Sequence, residues 1–149
     1  SAAEALRTTN SDDKDVGFSV LRLQPSSFRA WEDFDGDDVE QLEALFEQTE
    51  TPLIKGWTPD SLLTEVLLLQ GFPLDAHVAP QESLTKNDVR LVTSDYVAHR
   101  LWICLDRKVQ DATVAALNPA AEDVIVCLDS ALNDEAKLRL ADRCTLETI

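Results

Sequence analysis

Glycine is scarce in this chain, with only Gly17, Gly36, Gly56 and Gly71 among 149 residues. They never fall close enough together to form a Gly-rich phosphate or dinucleotide loop, so that class of nucleotide site is excluded. Histidine is scarcer still, with His77 and His99 alone. A zinc site would have to recruit cysteine, at no recognisable spacing. Cysteine is limited to Cys104, Cys127 and Cys144, with no C-x-x-C pair. An odd set of thiols in apolar runs suits small buried hydrophobes in a reducing cytosol better than a disulfide framework. No apolar run approaches the ~18 residues of a membrane span. The longest candidate, residues 62–69, is broken by Thr64 and Glu65. The opening Ser1-Ala2-Ala3-Glu4 has no basic-then-apolar signal character. A cytoplasmic chain with no membrane partner is expected.

Positive charge is also in short supply. Thirteen Lys and Arg face 28 Asp and Glu, a formal net charge of -15. Phosphate backbones are held by Lys and Arg with counterion release, so this segment is not expected to be a principal nucleic-acid surface. Arg100, Arg107 and Lys108 form the only local basic cluster near the expected sheet edge. Residues 30–54 hold nine carboxylates and no Lys or Arg. Such a run reads first as a solvated face. The sharper alternative is a docking surface for a basic partner, or a mimic of DNA.

What the chain does have is a repeated unit near its C-terminus. Residues 101–106, Leu-Trp-Ile-Cys-Leu-Asp, return 23 positions later as Val-Ile-Val-Cys-Leu-Asp at 124–129. Each run is followed by a helical stretch, with Asp111 and Asp134 at matching offsets, and 145–149 is a third short run. Continuous apolar runs of about five or six residues suit strands buried on both faces of a parallel sheet. Strand, helix, strand, helix, strand is the pattern of right-handed crossover connections. Upstream, 77–83 and 88–93 read as a hairpin around Thr85-Lys86-Asn87, and 97–106 as the next strand, with Tyr96, His99 and Arg100 at an edge or surface. The expected class is α/β, with α+β as the alternative: a small mixed sheet ending in a parallel βαβαβ unit. Helices pack on that sheet, and a hairpin or meander and two helices precede the unit.

Residues 1–14 read as a flexible linker or the end of an upstream domain, and 15–149 as a single domain. Residues 16–23 alternate like a strand, and Phe28, Trp31 and Phe34 follow as an aromatic turn packing on the core. Residues 37–48 have an acidic first turn and a stripe of Val39, Leu42, Leu45 and Phe46, the pattern of a helix. Thr58 and Pro59 start a second helix and Gly71 ends it. Six of its eight residues from 62 to 69 are large aliphatics. One face of a helix covers little more than ~100°, so the rest must be covered by the aromatic segment around Phe28, Trp31 and Phe34, by Trp57, or by another chain. Leu63, Val66, Leu67, Leu69, Trp31 and Trp57 are the candidate contacts.

The candidate chemistry is thin. Asp106 and Asp129 fall at the carboxyl ends of presumed neighbouring parallel strands, where open α/β sheets bind ligands and where paired carboxylates can hold Mg2+. The simpler reading is that each caps or steers the following helix and accepts backbone donors in the turn. No other pattern selects a nucleophile or a cofactor, so no catalytic, cofactor or metal residue is assigned. A non-catalytic domain leads.

Several stretches carry a resemblance to a known family. Asp15-Val16-Gly17-Phe18-Ser19-Val20-Leu21-Arg22-Leu23 with Ser27-Phe28-Arg29-Ala30-Trp31, then residues 62–74, then 101–106 and 124–130 with Asp134 and Lys137, resemble in order and spacing the C-terminal region of modification subunits of type III restriction–modification systems. The resemblance covers most of the chain from Asp15 onward and rests on no single diagnostic motif. Those subunits are adenine-specific DNA methyltransferases. Their Asp-Pro-Pro-Tyr and Phe-x-Gly-x-Gly motifs are absent here, so no methyl-transfer role passes to any residue. The resemblance implies S-adenosylmethionine chemistry upstream in a parent chain, and assembly with protein subunits of the same complex for this part. DNA would be met only through the rest of that parent. The competing expectations are a small Mg2+-dependent phosphoesterase using Asp106 and Asp129, and a free-standing acidic binding module.

Overall fold

The computed structural model describes residues 20, 22–30 and 52–149. Its elements are α1 (Pro59–Leu69), β1 (His77–Pro80), β2 (Val89–Ser94), β3 (Val97–Cys104), α2 (Asp111–Ala116), β4 (Val124–Cys127), a 3-10 turn (Asp129–Ala131), α3 (Asp134–Ala141) and β5 (Thr145–Thr148). The strands form one five-stranded sheet in the order β1-β2-β3-β4-β5. The β1–β2 and β2–β3 pairs are antiparallel, and β3–β4 and β4–β5 are parallel. This is the expected α/β class: a meander running into a parallel βαβαβ unit. The repeat seen in the sequence is also the pairing register. Leu101 faces Val124 and Cys104 faces Cys127, the same 23-residue offset.

Side chains alternate between the two faces of a strand, so register assigns each residue to a layer. Arg90, Val92, Leu101, Ile103, Val124, Val126 and Glu147 share one face. The α1 helix covers it. Leu63 lines a small depression together with Arg90 and Ile103, and the Gln70 amide donates to the Glu147 carboxylate. Trp102, Cys104, Ile125 and Cys127 point to the opposite face and are all buried. There α2 and α3 supply buried Val114, Ala136 and Leu140, and the Cys144 thiol donates to the Leu140 carbonyl. Arg143 ties these two helices together by donating to the Leu117 and Val114 carbonyls at the end of α2.

The start and stop of α1 follow its sequence signals. Thr58 is the N-cap, Pro59 occupies the first helical position, and Thr58 and Ser61 bond reciprocally. At the other end Gly71 has φ +77°, with Phe72 N–H donating to Leu67 O at 2.8 Å and Gly71 N–H to Leu68 O at 3.1 Å. That pair of bonds is a Schellman motif, which needs a left-handed residue where Gly71 stands.

Several expectations need correcting. The first hairpin strand ends at Pro80, not residue 83, because the chain turns through Gln81 and drops Leu84 into the core. His99 and Arg100 lie on the central strand rather than at a sheet edge, yet both are partly exposed, as the surface alternative had it. The His99 ring meets Phe72 edge-on at 5.4 Å, and its Nε2 is buried without a hydrogen-bond partner. Tyr96 is exposed as expected. Of the strand expected at 16–23, Val20, Arg22 and Leu23 are described, form no strand and are exposed. The helix expected at 37–48, the linker expected at 1–14, and Trp31 and Phe34 lie outside the described residues. Phe28 does pack against the core, as expected, and its backbone bridges to Leu53 alongside α1. Ser26 Oγ and Ser27 N–H both donate to the Glu65 carboxylate there.

Candidate functional site

The carboxyl ends of β3 and β4 are where an α/β ligand site is expected. Asp106 and Asp129 lie two residues beyond the paired Cys104 and Cys127. Each is engaged by a structural partner. The Asp106 carboxylate accepts from Asn87 Nδ2 at 2.7 Å and from Asp88 N–H at 3.1 Å. Asn87 also donates to Lys108 O at 2.8 Å and accepts from Gln110 N–H at 2.9 Å and Thr113 Oγ1 at 2.7 Å. One amide therefore ties the hairpin turn to the β3–α2 loop. Asp129 accepts from Lys137 Nζ at 2.7 Å across the first turns of α3. That ion pair, with a bond from Thr148, holds its carboxyl below the ordinary range. Neither aspartate caps a helix. Gln110 and Asn133 occupy the cap positions, and the Asn133 side chain accepts from Ala136 N–H. The reason is spacing, since several residues separate each aspartate from the helix it precedes. Among the described residues no group of three or more His, Cys, Asp or Glu side chains could hold a metal ion.

Among the described residues, the most heavily bonded carboxylate is one the sequence did not single out. Asp123 is 1% exposed at the entry to β4. It accepts from Arg100 Nη2 at 2.6 Å, Arg100 Nε at 3.1 Å, Trp102 Nε1 at 3.0 Å and Ala120 N–H at 2.8 Å. Burial opposes its charge, but these donors outweigh it and bring the carboxyl down to about 2. Arg100 also lies over the Trp102 ring, 5.6 Å from its centre. The only advance signal was the Glu-Asp pair just before an apolar run, which does not name a partner 23 residues away. Because Arg100 serves Asp123 at the amino end of the parallel strands, it is not part of a basic cluster with Arg107 and Lys108. Those two stand beyond the carboxyl end of β3.

The cysteines are all free and buried. Burial pushes the Cys104 thiol up to about 11 and the Cys127 thiol up to about 12. Thiols held protonated in this way are poor nucleophiles.

Five of the six candidate contact residues are described, all but Trp31, and they separate by position. Leu63, Val66 and Leu67 are 8%, 2% and 6% exposed and belong to the core, so they are not surface contacts of this fold. Trp57 is half-buried against that core. Leu69 is 70% exposed, and its neighbour Leu68, which was not among the candidates, is 55% exposed. Leu74, just past the helix, is 46% exposed. The end of α1 is thus an apolar surface, and no helix among the described residues is long and apolar enough to cross a membrane. Compared with known proteins, the chain matches no protein-family model, and no curated protein or solved structure is significantly similar to it.

Proposed function

We propose that this chain is a non-catalytic C-terminal domain of a cytoplasmic DNA adenine methyltransferase modification subunit of a type III restriction–modification system, and that it works in subunit assembly. The observation that carries this reading is the exposed aliphatic end of α1, with Leu68 and Leu69 outward on a domain whose Asp106 and Asp129 are already bonded. Exposed large aliphatics that follow one another on a helix are a feature of protein-contact surfaces. The sequence resemblance supplies the parent subunit. The parent would bind S-adenosylmethionine and DNA elsewhere in its chain, and this part would contact the second modification subunit or the restriction subunit.

The test is Leu69→Glu in the full-length subunit, with assembly followed by light scattering. The expected result is weakened dimerisation or restriction-subunit capture at unchanged methyltransferase activity. Assembly that survives the charge would overturn the reading. So would an upstream reading frame without the Asp-Pro-Pro-Tyr and Phe-x-Gly-x-Gly motifs.

A further inference from the structure

The apolar end of α1 has an electrostatic setting that selects its occupant. Residues 56–85 contain no Lys or Arg. The last turn of α1 has no basic residue to offset the negative end of the helix dipole. Glu65 lies one turn before Leu68 and Leu69, Asp75 follows Leu74, and Glu147 is tied to the helix end through Gln70. Exposed leucines are therefore flanked by carboxylates and a helix C-terminus, all of one sign.

We infer that this surface docks a helix of a different protein chain, one with an aliphatic ridge flanked by Lys or Arg. The inference rests on the assembly reading and names the chemistry of the partner at the same site. Charge complementarity is what separates the possible occupants. A second copy placed patch to patch would set Glu65, Asp75 and Glu147 against their own equivalents. The chain's own stretch 30–54 has the apolar residues to compete, but it brings nine carboxylates and no Lys or Arg. Both are disfavoured by like-charge contact, and a basic-flanked ridge is favoured at its centre and at its rim.

The experiment uses the 149-residue chain and two synthetic helical peptides, each with a leucine ridge, one flanked by lysine and the other by glutamate. Binding is read by fluorescence anisotropy, and the site by amide shift changes. The lysine peptide is expected to bind and to shift Leu68, Leu69 and Leu74, while the glutamate peptide does not bind. Leu69→Glu is expected to weaken the lysine peptide about tenfold or more, the scale of losing one buried aliphatic contact. That loss would occur although the variant is more acidic, which separates docking from general charge attraction. Leu68→Ser, which adds no charge, should weaken it as well. Undiminished binding to both variants would overturn the inference, as would equal binding of the two peptides. A dimer of the parent chain that dissociates in Leu69→Glu would assign the surface to a second copy. A lower urea midpoint in Leu69→Glu would assign it to the chain's own residues. If full-length Leu69→Glu fails to assemble but the lysine peptide is not preferred, the assembly reading stands and this one falls.

Discussion

Asp123 shows how one side chain can organise a strand entry. A carboxylate this buried is tolerated because five donor groups from Arg100, Trp102 and Ala120 surround it. Removing the charge leaves the guanidinium and indole donors poorly matched. Asp123→Asn is expected to cost about 2–3 kcal/mol, below the usual ~3–5 for breaking a buried pair. Arg100, with its side chain 42% exposed, can recover part of its hydration. Urea unfolding of the variant against the parent chain measures this. The same carboxyl sets a pH dependence. Its folded value of about 2 lies below the unfolded value of 3.8, so its contribution is complete above that value. It is lost as pH falls from about 4 towards about 2, and the full loss is about 2 kcal/mol. In Asp123→Asn that part of the acid transition should be absent.

At the scale of elements, α1 is defined by its two ends. Its N-terminus is closed by the reciprocal Thr58 and Ser61 bonds, and its C-terminus by Gly71 in the left-handed region. A Cβ at Gly71 would meet nothing within 4 Å, so the cost of substitution there is backbone strain alone. Gly71→Ala is expected to destabilise the domain by about 1–2 kcal/mol. Gly71→Asn should cost less, because asparagine tolerates that conformation. Thermal or urea unfolding of the two variants checks the order, and an alanine variant as stable as the parent would contradict it. The turn also shapes the surface, because it directs Phe72 back under the helix against His99 while Leu68 and Leu69 stay outside.

For the whole molecule, charge decides what can approach. At a formal -15, the long-range field repels phosphate. Arg107 and Lys108 stand without Arg100, which is bound to Asp123. The isolated chain is therefore expected not to bind DNA at physiological salt in a mobility-shift assay. Sub-micromolar, salt-sensitive retardation would mean that Arg107 and Lys108 outweigh the net charge.

Much of the architecture was legible locally. Apolar runs of strand length, the caps of α1 and the 23-residue repeat depend on neighbours in the chain, so pattern alone reached the five sheet strands and the parallel neighbours among them, and the structure added that the repeat offset is also the β3–β4 register. The repeat worked because paired parallel strands bury equivalent residues against the same two layers. What stayed illegible was direction and long-range pairing. Six aliphatics among the eight residues 62–69 leave too little contrast for periodicity to choose a face. Only packing of α1 on the Leu101 and Ile103 face turned Leu63, Val66 and Leu67 inward and left Leu68 and Leu69 outside. Likewise no local pattern joins Arg100 to Asp123 or Asn87 to Asp106, since those bonds form only after the sheet brings distant loops together. Sequence by itself determined the segments that form the five-stranded sheet and its described helices, because that choice is local, although the alternation at 16–23 gave no strand at Val20, Arg22 or Leu23. Tertiary structure alone decided which polar groups pair and which leucines meet solvent, because both depend on what burial leaves uncovered.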